Sequence, residues 1–176
     1  MKASALAFVL GAFAAGSVAC SSARTAPPPA PATGPIYSNA AYKFTCVPPA
    51  FPKAEANASQ TVASFLAPPH DGFSSNVGII VQSVKMTLDE YIDLSKKQFK
   101  QLELNSVSEN KVKVSGRDAV IWEYEGVQSK RKFKWLAMAV IDGDRVFLLT
   151  GTALAADYEQ VAKDFKACLD SFKIED

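Results

Sequence analysis

Residues 133–150 read FKWLAMAVIDGDRVFLLT, and this stretch decides the fold. Two apolar runs flank Asp142-Gly143, a pair that accepts the positive φ values of a tight hairpin, and it predicts a type I′ turn. Phe133 to Ile141 and Arg145 to Thr150 then read as paired strands. Successive strand side chains point to opposite faces. Here both faces are apolar: Ala137, Ala139 and Ile141 alternate with Leu136, Met138 and Val140, and Phe147 and Leu149 alternate with Val146 and Leu148. A sheet that is apolar on both sides needs cover on both sides.

The chain supplies two covers. Downstream, Tyr158, Val161, Phe165, Cys168 and Phe172 step by three and four, which makes one apolar helical stripe. Upstream, Thr87-Leu88-Asp89-Glu90 is a capping box, in which the Thr hydroxyl and the Glu carboxylate satisfy free backbone N–H groups. Leu88, Ile92, Phe99 and Leu102 then share a face, with Lys96, Lys97 and Lys100 mostly turned away. Between the helices, Val112 and Val114 alternate with Lys111 and Lys113, Ser115-Gly116 turns the chain, and Val120, Trp122 and Tyr124 alternate with Ile121, Glu123 and Glu125. Ahead of the first helix, Tyr42 to Val47 and Thr61 to Leu66 read as strands stopped by Pro48-Pro49 and Pro68-Pro69, followed by Val77, Ile79 and Val81 in a third. The order is strands, helix, strands, helix. Short turns favour antiparallel pairing. The expected fold is α+β: a central antiparallel sheet of about six or seven strands sandwiched between helices.

The N-terminus carries an address. Lys2 is followed by an uncharged, Ala-rich apolar run, Ala3 to Ala19, in the form of a secretory signal. It ends in Gly16-Ser17-Val18-Ala19-Cys20, which resembles a bacterial lipobox, with Ser17 where Leu is commonest. The expectation is a lipoprotein signal peptide over 1–19 and a diacylglyceryl group on Cys20. Ordinary cleavage nearby is the alternative. Ser21 after the cysteine resembles the outer-membrane sorting pattern of some bacteria, facing the periplasm. Residues 20–35 are rich in Pro and Ala, with no large apolar side chain, and read as a polyproline II spacer reaching roughly 45 Å. The folded domain is expected over 36–176.

Composition removes several functions. Lys plus Arg is 19 and Asp plus Glu is 18, and cleavage after residue 19 takes Lys2 and no acid, leaving a formally neutral chain. No nucleic-acid footprint is present. One histidine and three cysteines exclude most His-rich or Cys-rich metal sites, and no cofactor is expected. There is no Gly-x-Ser-x-Gly nucleophile motif and no glycine-rich phosphate loop.

With these elements in order, residues 37–174 resemble the PsbP/DcrB-like family. The resemblance rests on Val47-Pro48-Pro49-Ala50-Phe51-Pro52, on the Asp71-Gly72-Phe73 turn, on Thr87-Leu88-Asp89-Glu90-Tyr91, and on Leu149-Thr150-Gly151-Thr152 running into Tyr158 and Phe165. It implies an antiparallel sheet sandwiched between helices. That family includes envelope lipoproteins, thylakoid proteins of the oxygen-evolving complex and a Ran-binding transport factor, which share non-enzymatic docking on diverse partners. The resemblance implies no enzyme and no catalytic residue, and it transfers no binding residue.

Three local features carry chemistry. Cys46 and Cys168 remain once Cys20 is lipidated, and in an exported domain they are expected to form a disulfide; two buried free thiols are the alternative. Lys130, Arg131, Lys132 and Lys134 are the candidate partner-binding residues, for a lipid headgroup, an envelope polymer or an acidic protein; a solvated strand edge, paired across to Glu123 and Glu125, is the alternative. His70 in Pro68-Pro69-His70-Asp71-Gly72 reads as a turn residue rather than a base or metal ligand. The expected function is a lipid-anchored envelope accessory protein that docks on a protein or polymer. The rival is a small-ligand carrier or hydrolase with a pocket between sheet and helix, around His70, Trp122 or Tyr124.

Overall fold

A computed structural model describes residues 35–54 and 61–175. The expected signal segment, Cys20 and all but the last residue of the Pro/Ala-rich spacer lie outside the described residues. The elements are β1 (Tyr37–Asn39), β2 (Phe44–Cys46), β3 (Lys53–Ala54), β4 (Thr61–Leu66), β5 (Asn76–Ser83), α1 (Leu88–Gln101), β6 (Asn105–Val114), β7 (Arg117–Gln128), β8 (Arg131–Asp142), β9 (Arg145–Leu154), α2 (Tyr158–Asp170) and β10 (Lys173–Ile174). A seven-stranded antiparallel sheet runs in the order β3-β4-β5-β9-β8-β7-β6. A three-stranded sheet, β1-β2-β10, stands apart from it.

The strand pleat builds two cores. Met138, Val140, Phe147 and Leu149 join Val161, Phe165 and Leu169 of α2 on one face. Trp122, Trp135, Ala139 and Leu148 join Tyr91 and Ile92 of α1 on the other. The sandwich expected from the doubly apolar hairpin is the one observed. The capping box is also present: Glu90 N–H donates to Thr87 Oγ1 at 3.3 Å and Thr87 N–H to Glu90 Oε2 at 2.8 Å.

Four local readings change. The early strand is Phe44–Cys46, and it pairs with β1 and β10, outside the main sheet. The main hairpin turns on Gly143-Asp144, because Asp142 stays in the ladder opposite Arg145. Its carboxylate accepts from Arg117 Nε and Arg145 Nη2, both at 2.6 Å, which holds it there. Only Gly143 has positive φ (64°), so the turn has the type II′ pattern rather than the expected I′. The I′ pattern, with two positive φ values, occurs instead at Asp71-Gly72, Ser115-Gly116 and Ser129-Lys130.

The last change is Leu102, which is exposed at the C-cap of α1 rather than buried on its face. The helix ends in a Schellman motif: Leu104 N–H donates to Phe99 O at 2.8 Å and Glu103 N–H to Lys100 O at 3.3 Å. Leu104 therefore takes the buried place. Glu103 sits at φ 54°, where glycine is normal. Glu103→Gly is expected to raise stability by about 1 kcal/mol, since a side chain in the left-handed region costs roughly that much. Chemical denaturation checks it, and a loss of stability would refute it.

Gly151 positions α2. A Cβ there would lie 2.5 Å from Phe165 Cγ and 3.0 Å from Phe165 Cβ, so the helix packs directly on the β9 backbone. Phe165 is fully buried and its root cannot swing away. Gly151→Ala is expected to cost about 1–3 kcal/mol by overpacking. A midpoint of urea unfolding unchanged from wild type would contradict that contact.

Candidate functional site

The four nominated cations do not form one patch. β8 alternates them across the sheet. Arg131 emerges beside the α1 face and donates through Nη2 to the Asp71 carbonyl at 2.5 Å. Lys134 lies on the α2 side, its ammonium 5.2 Å from the Tyr158 ring centre and 3.8 Å from Glu159 Oε1. Although Glu125 is opposite Lys134 in the ladder, Glu159 is its ion-pair partner. Lys130 is exposed in the β7–β8 turn at φ 64°, and Lys132 is exposed on β8. Arg131 thus braces a loop, Lys134 packs on α2, and the other two face solvent.

His70 belongs to the same end of the sandwich. It pairs with Phe73 across Asp71-Gly72, its N–H donating to Phe73 O at 2.8 Å. The Phe73 ring meets Phe133 edge-on at 5.0 Å. The exposed His70 ring lies with Nδ1 3.2 Å from Asp157 Oδ2, at the start of α2. The Asp157 hydrogen bond, then the Asp157 and Asp71 charges, raise the imidazolium pKa above its ordinary 6.5. A raised histidine stabilises the fold fully below about pH 6.5, and that contribution is lost as pH rises through the folded value. A ring-proton NMR titration is expected to place His70 above 6.5, and Asp157→Asn is expected to bring it down. No change in that variant would remove Asp157 as the cause. Among the described residues no group of three or more His, Cys, Asp or Glu is arranged to hold a metal ion.

Trp122 and Tyr124, where the rival reading put a pocket, lie in a filled interior. A column of rings runs Phe73, Phe133, Trp135, Tyr124, Phe99, Trp122, Tyr91, with centroids 4.6–6.3 Å apart. Burial pushes the Tyr124 and Tyr91 hydroxyls well above the usual tyrosine range, and Tyr91 donates to Gln82 Oε1 at 3.2 Å. Glu109 latches the column. It accepts from Trp122 Nε1 at 3.1 Å and from Lys96 Nζ at 3.0 Å, joining β6, β7 and α1. Burial opposes its charge, but these two donors hold its carboxyl below the usual range. Sequence reasoning missed Glu109, although its alternation with Lys111 and Lys113 was a sign that it shares their face.

At the end of α1 the column reaches the surface. A groove of about 410 Å³ is lined by Lys96, Phe99, Lys100, Glu103, Leu104, Asn105 and Ser106. Phe99 forms its floor, stacked 4.6 Å from Tyr124.

Cys46 and Cys168 are both fully buried free thiols in the same core. Their side chains meet, and contact with Cys46, reinforced by burial, pushes the Cys168 thiol up. The Ser171 hydroxyl clamps their segments together, accepting from Val47 N–H at 2.8 Å and donating to Cys168 O at 2.9 Å. Phe44 and Phe172 pack alongside at 5.3 Å.

No family model matches the chain, and no curated protein matches it. Solved structures do. Cyanobacterial PsbP (CyanoP) from Synechocystis sp. PCC 6803 superposes with a TM-score of 0.61 at 13% identity, over 80% of this chain and 92% of that one. LpqN of Mycobacterium tuberculosis, described as involved in cell envelope biogenesis, gives 0.65 at 9% identity, over 76% and 83%. A Pseudomonas aeruginosa protein of unknown function gives 0.58 at 14% identity, over 77% and 92%. At these identities the likeness is one of architecture. The helix-covered antiparallel sheet built from the 133–150 hairpin is the PsbP-like fold, and this chain has it.

Proposed function

We propose that this chain is a lipid-anchored accessory protein of a bacterial cell envelope, which acts by docking and not by catalysis. The observation that carries the docking half is the ring column: the space between α1 and the sheet, where a carrier or hydrolase would hold a small molecule, is occupied by side chains. The contacts of His70 are those of a loop brace, with Asp157 as its side-chain partner among the described residues. The anchoring half is supported by Gly16-Ser17-Val18-Ala19-Cys20 and the Pro/Ala-rich stretch after it. The architecture shared with LpqN, an envelope protein by its description, agrees with that address. No helix among the described residues is long and apolar enough to cross a membrane.

In an exported protein the apposed thiols of Cys46 and Cys168 close into a disulfide. Each sulfur loses its proton, and the two electrons pass to a thiol–disulfide oxidant, whose own disulfide is reduced to a dithiol. Intact mass before and after reduction reads this as a gain of two hydrogens.

Two measurements test the main reading. Mass spectrometry of the native N-terminal peptide is expected to find Cys20 as the first residue, carrying acyl chains. An intact Met1 would end the anchoring claim. Cross-linking in the native envelope is expected to capture a specific partner, and recovery of uncrosslinked protein alone would end the docking claim.

A further inference from the structure

The main sheet leaves one long edge open. Among the described residues β6 is the only edge strand of more than three residues, and no strand pairs with its outer side. An unpaired edge presents a row of backbone N–H and C=O groups to any strand that can add to it. On the α1 side of the sheet β6 carries charge. Lys96 Nζ donates to Glu109 at 3.0 Å, and Lys111 Nζ donates to Asp89 at 2.5 Å. These bridges leave their members open to further contact: 56% of the Lys96 side chain, 58% of Lys111, 77% of Asp89 and 26% of Glu109 remain exposed. They also set the helix over the strand. Asn110 lies between Glu109 and Lys111, so it sits under the span from Asp89 to Lys96. On that side of α1, Asp89, Asp93, Lys96 and Lys100 step by four, three and four, which makes one exposed stripe, acidic in its first half and basic in its second.

We propose that β6 adds edge to edge to β6 of a second copy of this chain, antiparallel, about a two-fold axis at Asn110. Two charge patterns become self-complementary in that one arrangement. In the strand, an axis at Asn110 sets Glu109 opposite Lys111 of the second copy, and Lys111 opposite its Glu109. An axis at either neighbouring residue would instead set Glu109 against Glu109 or Lys111 against Lys111, which is destabilising. In the helix, α1 packs on β6 and β7, so the two copies of α1 run antiparallel across the joined edge, roughly 10 Å apart. The acidic half of each stripe then faces the basic half of the other. A surface that complements itself in this way makes an isologous contact. The other charges near the edge fit the pairing. Lys113 holds Asp118 at 2.8 Å, Glu90 is taken up by Thr87, and Lys97 extends the basic half. Glu103 falls toward the start of the second helix, which the exposed Lys85 precedes. The bulge between Ser106 and Ser108 confines the added ladder to 108–112. This contact goes beyond the docking reading above and does not depend on the lipid.

The test uses the full-length acylated protein in detergent, with either Asn110→Cys or Lys113→Cys, both at exposed positions of β6. Residues directly opposite in an antiparallel pair have Cβ atoms about 5 Å apart, so two thiols at position 110 meet across the axis. Two thiols at position 113 are six residues out of step, roughly 20 Å apart. Mild oxidation is expected to form the covalent dimer on the order of tenfold faster at 110 than at 113, because a disulfide needs close Cα atoms. Asp93→Lys brings like charges together across the axis and should slow the reaction at 110, as should high salt. Equal rates at the two positions would overturn the pairing. Sedimentation equilibrium of the wild type, in density-matched detergent, is expected to give the mass of two chains at high concentration and of one chain at low. A single-chain mass at every concentration also overturns it. Neither result touches a different protein captured by cross-linking in the envelope, so the docking reading stands or falls separately.

Discussion

Replacing Trp122 by alanine is expected to lower the unfolding free energy by about 3–5 kcal/mol, the range for deleting a buried large aromatic side chain. Trp122 is only 1% exposed, next to the Tyr91 end of the ring column, 6.0 Å from Phe99 and 6.3 Å from Tyr91. The site cannot collapse easily, because its neighbours are themselves rings held by strands on one side and α1 on the other. The variant also takes a donor from Glu109, leaving that carboxylate with Lys96. A domain of this size has about 5–15 kcal/mol in total, so the loss is a large share. Trp122→Phe should lose less, since it keeps a ring in place and removes only the indole N–H and part of the volume. Urea unfolding followed by circular dichroism reads both variants. A cost under about 1 kcal/mol for the alanine variant would mean that the column is loosely packed, and a carrier function would return to consideration.

The second large effect belongs to Cys46 and Cys168. The two residues lie in β2 and α2, near opposite ends of the folded chain. A bond between them closes a loop of more than 100 residues, for which chain entropy sets a ceiling of about 5 kcal/mol. The Ser171 hydroxyl holds the two segments together and Phe172 packs on Phe44, which keeps the two thiols in one core. Oxidised protein is therefore expected to unfold at clearly higher denaturant than reduced protein. In the Cys46→Ala/Cys168→Ala variant the reductant should make no difference. If oxidised and reduced wild type unfold together, the thiols serve only as small apolar residues of the core.

Both predictions draw on features of unequal visibility. The hairpin of residues 133–150 was readable because its strands are apolar on both faces, and each strand's pleat depends only on its own sequence. The stripe from Tyr158 to Phe172 and the box from Thr87 to Glu90 were readable for the same reason: a helix face and a cap are made by residues three or four apart. Leu102 misled because periodicity does not mark where a helix ends. The Schellman motif stops the helix there and passes the buried position to Leu104. The basic run 130–134 read as a cluster because its members are close in sequence, yet one step along a strand reverses the face. That reversal sends Arg131 to the Asp71 loop and Lys134 to α2.

What the amino-acid order determined on its own was therefore the set of elements, their polarity and the need for helices on both sides of the sheet, because each follows from contacts between near neighbours. The tertiary structure alone decided which distant segments meet. Cys46 lies against Cys168, Trp122 against Glu109, and His70 against Asp157. Such meetings depend on strand register and on the close fit of side chains across layers, where a shift of one residue exchanges every partner, and no local pattern records them.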